Sequence, residues 1–469
     1  MPDDQPGALL DRAPLDWQIL QQDARGLADL PLAGRWRAEG QGTVEVRLVG
    51  QDTGVPVARH LDWQAAETRP DGTWDAALEH VPAGGLYHLE TRLNPTENLA
   101  GEWSTRGDMR HFLGVGDLWV IAGQSNAAGY GRGPYLDPPA LGVHLFRNAE
   151  TWALASHPMN DSTDTRHPAN REGGNPAHSP FLGFGRLLLA ELGHPVGLVQ
   201  TALGGSALAP WNPTEPGPSP LFENMLHCVE RVGGRARGIL WYQGESDTGT
   251  AELAATYADR FTHAVGAWRE ALGAPDLPVL TVQLNRAHQL PGDGLDARWS
   301  ALREAQRQVA RSLGGVGVVP SLDCLLADGI HTAPGGNLLL GERLARAALG
   351  AVYGRPVACA APDLQTAHAL HDGATVELTF APVTSRMGSI DPEAHPFRVE
   401  DAEGIVPVER IAYPGDARIL LVLARPLAAD AVVHGAWGTD PATAPLDVER
   451  MLPMLAFSGV PIASDSRDS

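Results

Sequence analysis

Asp117-Leu118-Trp119-Val120-Ile121-Ala122-Gly123-Gln124-Ser125-Asn126 is the stretch on which the reading of the fold turns. An apolar run of strand length stops at a glycine, and a serine follows two residues later. Glycine permits a sharp turn and a close backbone approach that a Cβ would forbid. A serine at such a corner, above the C-terminal edge of a sheet, stands where open α/β folds keep their chemistry. One polar turn closing one buried strand would look the same, so the reading depends on what else the chain brings to that edge.

Four more short apolar runs follow, at 196–200, 238–242, 279–283 and 316–319. Helical segments are expected between most of them. The best punctuated has Ser179 as N-cap, Pro180 in the first turn, an apolar face through Phe184, Leu187 and Leu188, and Gly193 after its end. Others are expected near 251–272, 297–313 and 336–349. Strand alternating with helix predicts an α/β domain with a doubly wound, five-stranded parallel sheet. The connection from Gly129 to His178 carries little periodicity, so a functional loop or inserted subdomain is expected.

On both sides of this region the period is two. Thr43–Val49 and Leu86–Leu93 alternate before it, and Thr375–Phe380 after it; Arg418–Leu423 is a buried-strand candidate. The expected organisation is an N-terminal β-rich domain over 1–112, an α/β domain over 113–355, a C-terminal β-rich domain over 356–462 and a disordered tail over 463–469. The flanking domains are expected to be sandwich-like. The first is expected to brace the fold rather than bind sugar, since Trp63 and Trp74 are its main candidates for exposed aromatics.

Composition narrows the function. The 469 residues carry a net charge of −21, and no basic run appears, which argues against a nucleic-acid partner. There are 35 arginines and no lysine. That excludes a Schiff-base lysine, a Ser-Lys dyad and a P-loop lysine. Cys228, Cys324 and Cys359 lie far apart, so neither a disulfide framework nor a zinc knuckle is indicated. His144, His157, His167 and His178 lack metal-ligand spacing, and no metal or other cofactor is expected. The acidic Met1–Gln5 start lacks signal-peptide features and no apolar run reaches membrane-spanning length, so a cytoplasmic protein without a membrane partner is expected.

Polar clusters follow four of the strands or stand just before the last helix. They are Gly123-Gln124-Ser125-Asn126, Gly204-Gly205-Ser206, Gln243-Gly244-Glu245-Ser246-Asp247 and Asp328-Gly329-Ile330-His331. In a doubly wound sheet these converge on one crevice. Together they fill the roles of acyl transfer. Ser125 is a weak nucleophile until a base such as His331 takes its proton, and Asp328 could hold that imidazole in the right tautomer. The backbone N–H of Ser125, an N–H from Gly204 or Gly205 and the side-chain amide of Gln243 are the candidate oxyanion donors. Glu245 and Asp247 as a glycosidase pair fit poorly, because such carboxylates must flank the substrate from opposite sides.

At these residues the chain resembles the SGNH-hydrolase superfamily, and more narrowly the sialate O-acetylesterase and carbohydrate acetylesterase families. Gly123–Asn126, Ala202–Ser206 with Trp211, Trp241–Asp247 and Asp328–His331 are similar to that family's blocks, in order. Gln124 and Gln243 stand where many lipolytic members carry Asp and Asn. The resemblance implies an SGNH or flavodoxin-like fold. It also implies a cofactor-free serine esterase removing O-acetyl groups from carbohydrates, with an acetylated sugar or oligosaccharide as its partner. Gln124, Asn126, Trp211 and Glu245 are then expected at the substrate, and Glu245 is the second candidate, behind Asp328, to orient His331. The alternative is a carbohydrate-binding or scaffold protein on an inactive esterase fold, for which a triad member should be missing; none is.

Overall fold

Leu118–Ala122 has no polar residue on either face, and a strand buried on both sides belongs inside a parallel sheet. In the computed structural model, which describes residues 7–38, 42–95, 104–174, 176–288 and 292–464, it forms the end of strand β1 (Thr105–Gly123). β2 (Val143–Phe146), β3 (Trp152–Leu154), β4 (Val196–Gln200), β5 (Gly238–Tyr242), β6 (Val279–Val282) and β7 (Val316–Val319) complete the sheet, in the order β3-β2-β4-β1-β5-β6-β7. All neighbours are parallel except β3, which is antiparallel to β2. Gln200 lies opposite Ile121 and Tyr242 opposite Gly123, so the ends of β4 and β5 flank the Ser125 corner.

All five expected runs are strands, but the sheet does not stop at five. β2 and β3 arise from the 129–178 connection and extend one edge. Four buried residues without alternation carry no periodic signal. The chain is thus mixed α/β with several sheets.

Taken as one connection, β1 to β4 carries the chain one way along the sheet, with β2 and β3 lying beyond β4, and β4 through β7 carries it the other way. Right-handed crossovers then put the first helix on one face and the next three on the other. After the short α1 (Ser125–Ala128), α2 (Phe181–Leu192) packs against α6 (Pro334–Ala351). On the far face, α3 (Pro220–Arg231) is followed by α4 (Ala251–Ala271), which packs against α5 (Leu295–Ser312). Gly193 ends α2 at φ 74°, as its position suggests. The start differs: Pro180 is the N-cap, and the buried Ser179 hydroxyl turns to the Met159 sulfur instead of capping. Among the described residues, no helix is long and apolar enough to cross a membrane.

The first half of β1 belongs to another layer. It pairs antiparallel with Gly84–Pro95, which pairs with Gly42–Gly50. These strands share a core with Gly7–Arg12, Leu27–Arg37 and Thr73–Pro82, built on Leu30, Leu32, Val46, Trp74 and Leu89. Residue 112 therefore lies inside a strand, where Phe112 takes φ 57° and stacks on Trp17. Trp74 is buried, and Trp63 carries the Arg47 and Arg92 guanidiniums at 4.5 and 4.0 Å from its ring centre.

After α6, a five-stranded sheet, antiparallel but for one parallel edge pair, and a four-stranded antiparallel sheet enclose Val376, Leu378, Ile419, Leu421 and Phe457, with a small three-stranded sheet beside them. The fully buried Arg303 of α5 ties them to the centre, donating to the carbonyls of Leu284, Asn285 and Gly438. The expected tail is ordered at its start: Ala463–Ser464 pairs with His368–Ala369, while 465–469 lie outside the described residues.

Candidate active site

The Ser125 corner depends on Gly123. Its φ is 124°, and a Cβ there would lie 2.2 Å from the Tyr242 carbonyl oxygen of β5. Gly123→Ala is therefore expected to cost about 4 kcal/mol or more, from strain and a backbone clash together. Thermal unfolding checks this, and an unchanged Tm would refute it. Ser125 opens α1 and is 9% exposed.

Asn126 joins three parts of the chain. Its Oδ1 accepts from the Thr332 amide at 2.9 Å, while its Nδ2 donates to the Ile330 carbonyl at 3.3 Å and to Glu245 Oε1 at 2.7 Å. The residue after Ser125 thus clamps both neighbours of His331. Asp328 folds the same loop from within: its Oδ1 accepts from the Ile330 and His331 amides, and its Oδ2 lies 2.7 Å from His331 Nδ1. Burial alone would raise the Asp328 carboxyl, but the bonds from His331 and the two amides outweigh it and hold it below the ordinary range. A carboxylate facing Nδ1 assigns the proton to that nitrogen and leaves Nε2 as the acceptor. Neither the Ser125 hydroxyl nor His331 Nε2 makes a hydrogen bond among the described residues. Resting geometry looser than the reacting one is common in unliganded sites.

Other expected residues are placed differently. Gln243 is fully buried; its Nε2 donates to Asp247 Oδ2 at 2.7 Å and to the Ser206 carbonyl at 3.2 Å, and its Oε1 accepts from Tyr257. A side chain so occupied is a structural hub and does not face an oxyanion. The Gly204 amide donates to Glu172 Oε1 at 2.8 Å, so it too is spent. Gly205, exposed at φ 72°, keeps its amide free of any described partner, as does Ser125. Trp211 is fully buried, donates to Ser206 and packs edge-on against Trp241, so its ring belongs to the core. Gln124 is 3% exposed and accepts from the Ser246 amide at 3.1 Å and from Gln243. It holds the corner. Glu245 is buried and raised by that burial, with Oε2 unpartnered; it makes no bond to His331.

Two of the loop histidines do meet, contrary to their spacing. His157 and His178 Nε2 lie 2.9 and 3.1 Å from Asp137 Oδ2, and Arg186 lies 2.7 Å from Oδ1. The imidazoles stack with ring centres 4.2 Å apart. Hydrogen bonds from both imidazoles and the charge of Arg186 outweigh burial and hold Asp137 well below the carboxylate range. One carboxylate balanced by one guanidinium makes this a hydrogen-bonded hub that folds the connection.

Residues 115–350, just over half of the chain, match the family model described as carbohydrate esterase, sialic acid-specific acetylesterase. The chain belongs to this family of carbohydrate esterases. Among its relatives is a probable carbohydrate esterase of Arabidopsis thaliana, 29% identical over 255 residues that span 50% of this chain and 90% of the other. The crystal structure of a carbohydrate acetylesterase from Xanthomonas citri superposes with TM-score 0.65 at 23% identity, covering 95% of this chain and 99% of that one. The fold is therefore shared over nearly the whole length, flanking β-regions included.

As a carbohydrate esterase, the protein is a carboxylic ester hydrolase. Three residues beside the candidate site had no sequence signal. Tyr130, Asn160 and Glu172 come from the aperiodic connection and meet beside His331 and Gly204. Isolated polar residues in a loop gain meaning only from what the fold places next to them.

Proposed function

We propose that this esterase removes O-acetyl groups from carbohydrate hydroxyls through an acyl-enzyme on Ser125, with His331 as base and Asp328 as its orienting carboxylate. The observation that carries this reading is the Asp328–His331 bond on a loop that Asn126 fastens beside Ser125. The Ser125 hydroxyl attacks the acetyl carbonyl carbon and its proton passes to His331 Nε2. The free amides of Ser125 and Gly205 are the donors for the oxyanion. Collapse expels the sugar alkoxide, which takes the proton back. Water, deprotonated by the same imidazole, then releases acetate.

The order β4-β1-β5-β6-β7 of the parallel strands, with the chain leaving β1 toward β4 and then passing it to β5, supports an SGNH-type, flavodoxin-like arrangement in which the crevice lies at the switch point between β1 and β5. The β-regions before about residue 112 and after about 356 are proposed as braces. The occupied face of Trp63 and the buried Trp74 leave neither as a platform for sugar.

A net charge of −21, with the Asp328 carboxylate on the histidine loop held below its usual range, favours a neutral acetylated glycan over an acidic one. Acetate release from acetylated xylo-oligosaccharides and from O-acetylated sialic acids, each beside a Ser125→Ala control, tests the reading. Faster turnover of the sialic acids would reverse the preference.

The pH profile follows from the base. Only neutral imidazole can accept the Ser125 proton, so kcat/KM falls toward acid pH. Asp328, held below its usual range, stays ionised as the pH first falls and keeps its hold on the imidazole. A profile flat down to pH 4 would contradict the assignment.

A further inference from the structure

Tyr130 follows Gly129, whose φ of 97° ends α1, and its ring lies 5.2 Å from that of His331 with the planes 27° apart. Its hydroxyl donates to Glu172 Oε2 at 2.8 Å. The other oxygen of Glu172 accepts from the Gly204 amide at 2.8 Å and from Asn160 Nδ2 at 2.7 Å. Asn160, fully buried, also donates to the Ala202 carbonyl at 3.0 Å. A single carboxylate, 9% exposed, thus ties an aromatic plate on the imidazole to the Ala202–Gly205 turn. Burial raises the Tyr130 hydroxyl well above its ordinary range, and the bond to Glu172 adds to it, so the phenol keeps its proton and donates.

We infer that Tyr130 is a positioning residue whose ring face supports the cationic form of His331 during acyl transfer, and that Glu172 holds the ring there. The inference rests on His331 being the base. When Ser125 gives up its proton the imidazole becomes a cation beneath an aromatic face, and the ring quadrupole attracts it. Donation of the phenol proton to a carboxylate enriches the ring and strengthens that attraction. Asp328 on Nδ1, the buried Glu245 of the β5 turn and Glu172 behind Tyr130 are the other acidic groups facing the imidazole, and Arg132 is the basic one near the plate. Because the cation exists only while the reaction proceeds, the ring acts on kcat and leaves KM alone.

The experiment replaces Tyr130 by Leu, by Phe and by phenylalanines carrying one, two and three ring fluorines, with p-nitrophenyl acetate as substrate. Fluorine withdraws the π density that binds a cation while nearly preserving ring shape, so folding is retained across the series, and thermal unfolding verifies it. Tyr130→Leu is expected to lower kcat about tenfold with KM within about twofold. Tyr130→Phe restores kcat to within about threefold of the parent, and each added fluorine lowers it again. Glu172→Gln falls with Phe, because Oε2 no longer accepts the phenol proton. A kcat independent of fluorine content, or a loss confined to KM, overturns the inference. His331→Ala is run in parallel: retained activity there refutes the base assignment itself, whereas an inactive His331→Ala beside a flat fluorine series refutes only the role of Tyr130.

Discussion

Ser125→Ala lowers acetate release by about four to six orders of magnitude, the loss seen when a serine hydrolase is deprived of its nucleophile. The expectation has a structural basis beyond the motif. Ser125 stands at the end of the central strand, at a corner that no residue but glycine can turn, and the residue after it is bonded to the histidine loop at both sides of His331. Removing one hydroxyl leaves these contacts intact, so the variant should unfold at the parent temperature while turnover disappears. Activity above about one per cent of the parent, in protein free of parent enzyme, would transfer the nucleophile's role elsewhere. A serine-directed organophosphate gives an independent check: it labels the parent at Ser125 and leaves the variant unlabelled.

Asp328→Asn is the second large effect, expected at about a hundred- to a thousandfold in kcat. The amide keeps an oxygen for the Ile330 and His331 amides, so the loop holds, but an N–H faces Nδ1 and forces the imidazole into the wrong tautomer. The loss should fall short of the roughly ten-thousandfold known for a buried triad carboxylate, because the Asp328 side chain is 45% exposed and solvent screens its charge. Glu245→Gln provides the contrast. It removes a buried carboxyl near His331 yet keeps an acceptor for Asn126, and should cost less than about tenfold. If Glu245→Gln proves the more damaging of the two, Glu245 is the orienting acid. Steady-state kinetics on both variants decides between them.

The two halves of the site differed in how far they could be read. Ser125, Asp328 and His331 could be nominated as nucleophile, acid and base because chemistry restricts these roles to few residue types, and because each stands at a strand end or before a helix. The proposed oxyanion donors could be nominated only in part. Glycines at a turn announce a free amide, but which of Gly204 and Gly205 keeps it depends on Glu172, 32 residues upstream, which occupies the first. Gln243, Gln124 and Trp211 were misread for a related reason. Polar and aromatic residues beside a catalytic motif look like substrate contacts, yet Asp247, Tyr257, Ser206 and Ser246 consume their hydrogen-bonding groups inside the protein.

Local pattern alone determined the alternation of strand and helix, the five central strands and the glycine-to-serine corner, since burial on both faces and sharp turns each demand a narrow set of residues. Tertiary structure decided what lies beside the reacting groups. The 129–178 connection has no period to read, but it adds two strands to the sheet, buries an Asp137–His157–His178 hub and delivers Tyr130, Asn160 and Glu172 to the site. Periodicity records which face of an element is buried. The neighbours of an aperiodic segment are set by how the whole chain packs, and only the folded molecule displays them.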